Sequence, residues 1–259
     1  MKAVILVGGL GTRLRPLTFS VPKPLLPVGE TPIVQIIIQR LRDCDIRELI
    51  LATGYQAPLF HAYCGDGSKF GVQISYVHED KPMGTAGPLS MLRNKFQEGE
   101  RFVLMNGDIL TGLDFKDLVD FSRRNDDDLT VGYADYVYKS PFGVLSIKED
   151  KIVDVVEKPT VKYSISAGIY CVHASALEFV PNGEFFTIPD LVRKLILARR
   201  RVGAYHITEL WMGLESIADF SEALKELNSA PVPQATGDLG NSTRTDYDHK
   251  DKLAYGVQE

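Results

Sequence analysis

Apolar residues in this chain fall in short bursts, and the bursts alternate between two periods. Residues 3–7, Ala-Val-Ile-Leu-Val, are continuously apolar and end at a glycine, the pattern of a strand covered on both faces. Thr31 stands where a helix cap belongs and Pro32 where a helix has no N–H bond to lose; Ile33, Ile37, Leu41 and Cys44 then follow at helical spacing. The two patterns go on alternating, with strands at 49–53, 72–77, 102–105 and 129–133 and helices at 58–64, 85–92 and 115–124. Strands joined by helical crossovers predict an α/β fold: a doubly wound, mostly parallel sheet flanked by helices, Rossmann-like in outline. Such sheets bind ligands beyond the carboxyl ends of their strands. From about residue 136 the bursts shorten, with strands at 143–147, 152–156 and 165–172 and helices at 174–180 and 188–198. Ser216-Ile217-Ala218-Asp219 has the form of a capping box and opens a last helix to about Leu227. The pattern predicts one domain over 1–228, with a first half to about 135 and a smaller lobe from about 136, followed by a polar tail at 229–259.

Composition narrows the classes. At 259 residues and 44% hydrophobic content, the chain can bury a large core. It contains no run of about 18 apolar residues, and its start lacks the basic region and long apolar stretch of a signal peptide, so the expectation is a soluble cytoplasmic protein that touches no membrane. Cys44, Cys64 and Cys171 have neither zinc-site spacing nor the density of a disulfide scaffold, and the five histidines show no metal spacing. The net charge of −5 argues against general nucleic-acid binding. Yet the first 29 residues hold Lys2, Arg13, Arg15 and Lys23 and no acid, a cationic segment suited to a bound anion.

The chemistry is densest in that segment. In Gly8-Gly9-Leu10-Gly11-Thr12-Arg13, small residues let backbone N–H groups approach phosphates and Arg13 can neutralise their charge. A P-loop would need Gly-Lys-Ser/Thr, and a dinucleotide fingerprint a third glycine where Arg13 stands. The whole stretch LVGGLGTRLRPLTFSVPKPLLPVG, Leu6 to Gly29, resembles the signature of the sugar-1-phosphate nucleotidyltransferases, and its form is most similar to mannose-1-phosphate guanylyltransferases. Further matches follow in the family's order: Pro82-Met83-Gly84-Thr85-Ala86-Gly87, Asn106-Gly107-Asp108, Phe142-Gly143-Val144, Glu157-Lys158-Pro159, Ala167-Gly168-Ile169-Tyr170 and Trp211-Met212.

The resemblance implies a reaction and a set of roles. A nucleoside monophosphate passes from a triphosphate, GTP favoured, to a sugar-1-phosphate of mannose or heptose type, releasing pyrophosphate; a glucose-type acceptor with another triphosphate is the alternative within the class. The first half would hold the nucleotide through Leu6, Gly8, Gly9, Gly11, Thr12 and Arg13, with Pro82, Gly84, Thr85, Ala86 and Gly87 around base and ribose. The lobe would hold the acceptor through Gly143, Glu157, Lys158, Ser166 and Gly168, helped by Lys23. Arg13, Lys23 and Asp108 would be catalytic, with Asp108 a ligand of Mg2+ or another divalent cation. Arg15 reads equally well as a solvated surface charge. A homodimer is the expected assembly.

One family position departs from the pattern. A second metal-binding Asp usually follows the aromatic of a W-x-D-I-G-like segment, and here Trp211-Met212-Gly213-Leu214-Glu215 places Gly213 at that acid. Ser166 likewise stands where an Asn often contacts the sugar. Glu209 and Glu215 share Gly213's parity along a strand, so either could supply the missing carboxylate. Alternatively the metal manages with Asp108, phosphates and water, or the protein is a catalytically weak nucleotide-sugar sensor or regulatory subunit.

Overall fold

Seven strands form the central sheet of the computed structural model, which describes residues 1–229. The first part of the chain comprises β1 (Lys2–Leu6), β2 (Pro27–Val28), β3 (Thr31–Pro32), α1 (Ile33–Asp43), β4 (Glu48–Thr53), α2 (Ala57–Cys64), β5 (Gln73–His78), β6 (Arg101–Asn106), β7 (Ile109–Thr111) and α3 (Phe115–Arg124). The second comprises β8 (Leu129–Lys139), β9 (Val144–Lys148), β10 (Lys151–Val156), β11 (Thr160–His173), α4 (Ile188–Leu197), β12 (Val202–His206), β13 (Trp211–Gly213) and α5 (Ile217–Ser229). The sheet order is β12-β8-β11-β6-β1-β4-β5. Neighbours are parallel except where β11 runs antiparallel between β6 and β8. After β1 the chain crosses to β4 on one side, and β6 closes the other, so the switch in direction lies between the ends of β1 and β6.

Both sheet faces are covered, as the continuous apolar runs demand. One face packs α1, α2, α3 and α5 through residues such as Ile38, Leu41, Phe60, Phe115 and Ala223. The other packs α4 and two 3₁₀ segments, Gly87–Lys95 and Ala174–Phe179, through Leu89, Leu92, Leu177 and Leu191. Each fully buried Leu, Ile or Phe contributes roughly 1.5–3 kcal/mol. No helix among the described residues is long and apolar enough to cross a membrane.

Several local expectations change. Thr31 does not cap α1: it pairs in β3 with β2, and the Leu26 carbonyl accepts the Ile33 N–H at 3.1 Å in the cap's place. The expected helices at 85–92 and 174–180 are 3₁₀ segments, since apolar residues three apart, such as Leu89 and Leu92, fit that tighter period equally well. β8 and β11 run on past the expected ends, pairing from Ala134–Ile165 out to Lys139–Thr160 as a two-stranded ribbon. β7 and β13, at three residues each, are too short to have been read as strands, and the five residues of β12, Val-Gly-Ala-Tyr-His, hold too few bulky apolar side chains to show a strand's pattern. The capping box before α5 forms: Asp219 Oδ2 accepts the Ser216 N–H at 2.6 Å and Ser216 Oγ accepts the Asp219 N–H at 3.4 Å. The polar tail expected at 229–259 lies, beyond Ser229, outside the described residues.

Candidate active site

A cavity of about 410 Å3 opens at the switch between β1 and β6. Its floor is built by close backbone approach: the Gly107 N–H donates to the Leu6 carbonyl at 2.9 Å, and a Cβ at Gly107 would stand 2.8 Å from that oxygen. Its rim is the loop after β1. Gly11 holds φ +59°, where a side chain is strained, and an added Cβ would meet Thr18 Cγ2 at 2.9 Å. Thr18 Oγ1 donates to the Gly11 carbonyl at 2.8 Å, tying the loop to the segment that leads to Lys23.

Four charged groups meet in the cavity. The buried Lys23 ammonium donates to Asp108 Oδ2 at 2.6 Å and to Glu215 Oε2 at 2.9 Å, and the exposed Arg13 guanidinium reaches the same Glu215 oxygen at 2.9 Å. Glu215 arrives there because β13 runs antiparallel to β7: Gly213 faces Ile109, and the Leu214 N–H donates to the Asp108 carbonyl at 3.0 Å. Asp219 Oδ2 then accepts the Glu215 N–H at 2.7 Å, so the cap of α5 also fixes the Glu215 backbone. By the same antiparallel register Glu209 lies at the other end of the pair, beside Gly112, with its carboxylate on the Thr208 N–H. A Cβ at Gly213 would find ordinary contacts at 3.7 Å. Among the described residues no three His, Cys, Asp or Glu side chains gather as a metal cage.

Across the cavity stands Glu79, which carried no signal in the sequence beyond being one acid in a polar run. Its Oε2 accepts the Met83 N–H at 2.9 Å, and a Cβ at Gly8 would lie on top of its Oε1. Gly54, whose added Cβ would stand 2.9 Å from Glu79 Cγ, completes the notch. Burial pushes the Glu79 carboxyl above its ordinary value, and the Met83 hydrogen bond offsets part of that rise. Pro88 and Phe185 also line the wall without having been singled out, as do Met83 and Asn106, which the sequence named only as members of the matched motifs.

Of the residues expected at the nucleotide, Leu6, Gly8, Gly9, Gly11, Thr12, Arg13, Pro82, Gly84 and Thr85 line the cavity. Ala86 and Gly87 do not: both are buried, and their N–H groups donate to the Phe186 carbonyl at 2.9 Å. Glycine is required at Gly84, with φ +77°, because an added Cβ would come within 2.6 Å of that carbonyl. Of the residues expected at the acceptor, Lys23 lines the cavity and the others stand apart from its wall. Gly143, Glu157 and Lys158 are exposed where the ribbon bends, with Gly143 against Glu157 and the Lys158 ammonium 3.9 Å from Glu157. Ser166 Oγ bonds the Tyr170 hydroxyl at 2.9 Å, and Gly168 packs on the Asn106 amide. Arg15 is exposed, stacked over the Phe19 ring at 4.9 Å.

Known proteins resemble the chain over most of its length. The family described as nucleotidyl transferase matches residues 2–230. The chain is 35% identical over 249 residues to the mannose-1-phosphate guanylyltransferase of Mycobacterium tuberculosis, covering 93% of this chain and 68% of that protein. It is 38% identical over 225 residues to the catalytic subunit beta of mannose-1-phosphate guanylyltransferase from Dictyostelium discoideum, covering 85% and 62%. Among solved structures, a provisionally assigned glucose-1-phosphate thymidylyltransferase from Bacillus anthracis, in complex with sucrose, superposes with a TM-score of 0.71 at 26% identity, over 89% of this chain and 96% of that one. HddC from Yersinia pseudotuberculosis shares the fold, with a TM-score of 0.68 at 23% identity over 87% and 99%.

Proposed function

The chain belongs to the nucleotidyl transferase family, and from that premise we propose that it moves guanosine monophosphate from GTP onto mannose-1-phosphate, giving GDP-mannose and pyrophosphate. The broader reaction, transfer of a nucleoside monophosphate from a triphosphate to a sugar-1-phosphate, is the one its relatives carry in their names.

The observation that carries the proposal is the convergence of Lys23, Arg13, Asp108 and Glu215 at the glycine loop. A sugar phosphate is largely a dianion near neutral pH, its second pKa being about 6, so the attacking oxygen needs no general base. That oxygen attacks the α-phosphorus, the bond to the bridging oxygen breaks, and the electron pair leaves with pyrophosphate. The barrier is repulsion between anions and misalignment, and this chain's residues act on both. Backbone N–H groups of residues 8–12 hold the triphosphate, Lys23 neutralises the reacting phosphates, and Arg13 meets the charge developing on the leaving group.

Asp108 and Glu215 would hold a magnesium ion. The donor set fits: two hard carboxylates already converge on one cation, and magnesium takes one or two of them and fills its shell with phosphate oxygens and water. When bound, the ion neutralises phosphate charge as a Lewis acid.

Glu79 supports guanine as the base. Guanine presents two N–H donors along one edge, which a carboxylate accepts together, whereas adenine presents an acceptor there. Residues 1–135 thus serve the nucleotide. The acceptor is assigned to residues 136–228, with Lys158 on its phosphate, Glu157 on its hydroxyls, and Gly143, Ser166 and Gly168 giving close backbone approach. The three cysteines are free thiols, in keeping with a reducing cytoplasm.

Pyrophosphate release measured for each common triphosphate against mannose-, glucose- and heptose-1-phosphates, with and without magnesium, tests the reading. GTP with mannose-1-phosphate and magnesium is expected to be fastest. Greater speed with another pair would replace the substrates, and no turnover with any pair, alongside tight nucleotide-sugar binding, would replace the enzyme with a sensor.

A further inference from the structure

At the end of the sheet opposite the glycine loop lies a second cavity, of about 410 Å3. Arg101 opens β6 and faces His173, the last residue of β11, while Leu129 opens β8 and faces Val202, the first residue of β12. Segments 126–128 and 199–201 bring three aspartates and three arginines over these strand ends, and Arg101 and His173 complete the wall. No apolar side chain is among the residues lining it. The six residues of β6 span about 20 Å, so this place is separate from the one that holds Lys23 and Asp108.

The acids there are already engaged. Asp126 accepts from the Arg101 and Arg201 guanidinium groups, Asp127 Oδ2 from Thr130 Oγ1 at 2.8 Å, and Asp128 from the Arg200 guanidinium and the Arg201 N–H. Donors remain on the cationic side. Arg101 Nε is buried and has no acceptor among the described residues, an orphan of a kind that folded proteins rarely leave. The Arg199 guanidinium is likewise without a partner among the described residues. Arg199 also occupies the position after α4 that glycine usually takes: its φ is +56°, and the Arg199 and Arg200 N–H groups close the helix on the Ile196 and Leu195 carbonyls at 2.9 Å. A long cationic side chain is held there against the preference of its backbone.

We propose that this cavity binds a compact phosphate-type anion, inorganic phosphate or pyrophosphate, independently of the site where the triphosphate reacts. Four arginines against three aspartates leave its wall positive on a chain of net −5. Guanidinium forks match tetrahedral oxyanions in geometry as well as in charge. A wall without apolar or aromatic side chains gives a nucleobase nothing to pack on, which favours phosphate groups alone over a nucleotide. A divalent cation is the poorer occupant, because no three acids or imidazoles among the described residues gather to hold one.

Titration calorimetry of the full chain with inorganic phosphate and with pyrophosphate, free of magnesium and at fixed ionic strength, reads the binding. A site is expected whose affinity falls at least tenfold in Arg199→Gly and stays unchanged in Arg13→Ala. Arg199→Gly removes the guanidinium while suiting the backbone, so its melting temperature should hold or rise. Whichever of the two anions binds this site more tightly identifies whether one phosphate group or two are recognised. The imidazole of His173 supplies a readout on the wild type. Burial, and then the Arg101 charge, hold its pKa below the ordinary value, with Arg200 acting in the same sense and Asp128 and Asp126 against it. A bound anion should raise its titration midpoint, followed by the ring-proton resonance that disappears in His173→Gln. Binding that Arg13→Ala abolishes and Arg199→Gly leaves intact overturns the proposal, as does a His173 resonance unmoved at saturating anion. Because no readout involves turnover, its failure leaves the transferase reading untouched.

Discussion

Glu215 and Glu209 are six residues apart and chemically identical, yet the cavity uses only one. In a continuous strand they would share a face, which is why the sequence left both open. The strand ends at Gly213, and the Glu215 N–H turns back onto the Gly213 carbonyl at 3.2 Å, so it is register against β7 that sorts the two acids. Glu215→Gln should therefore raise the magnesium concentration for half-maximal turnover by about tenfold or more, about 1.4 kcal/mol, while Glu209→Gln leaves it unchanged; a magnesium titration of both variants checks this. Glu79 was still less legible, because one acid after a strand looks like any solvated turn. Its place depends on the missing side chains of Gly8 and Gly54, far away in sequence. Burial raises its pKa by disfavouring the charged form, so protonation on acidification comes earlier than for an ordinary glutamate. The KM for GTP should rise on acidification before ordinary carboxylates titrate, which a pH profile of KM measures. By linkage, a raised folded pKa favours the fold below the unfolded value, and that advantage disappears as pH climbs through the folded value. Glu79→Gln should accordingly keep or raise the melting temperature at neutral pH, flatten the acidic rise in KM, and erode the preference for GTP over ATP. A variant that kept full GTP preference would remove Glu79 from base recognition.

The elements that position the site divide by how local their causes are. β1, β4, β6 and α3 were readable because their apolar periods are complete within each segment, and Asp114 caps α3 by accepting the Lys116 N–H at 2.9 Å. Thr31 misled because the Leu26 carbonyl, five residues earlier, took over the cap. The ribbon was read short because its alternation continues into tyrosines and charges with no core to bury them. At the glycine loop, both φ and space oppose a side chain. Gly11→Val should cost triphosphate affinity at least tenfold, since a branched Cβ would press on Thr18 and distort the turn that presents Arg13. Calorimetry with GTP on a folded variant measures it, and unchanged affinity would mean that the loop does not cradle phosphate.

At the scale of the whole molecule, the sheet order decides that β1 and β6 end side by side, so Lys23 and Asp108, 85 residues apart in sequence, reach one cavity. The alternation of strands and helices foretold such a crevice, but not that β11 would enter the sheet reversed, because nothing local distinguishes the direction of a buried strand. The Lys23 ammonium has a further consequence for the resting molecule. Its hold on Asp108 and Glu215 means that the two acids are never left to repel each other, and a metal arriving there replaces a resident cation instead of filling a void. Stripping divalent ions with a chelator should stop turnover, yet leave the melting temperature of the substrate-free protein within about 2 °C of its untreated value, a shift of no more than about 1 kcal/mol for a domain of this size. Scanning calorimetry with and without chelator measures it. The enzyme would then be a protein that can be made, stored and transported without metal, its fold indifferent to the mineral supply on which its chemistry depends.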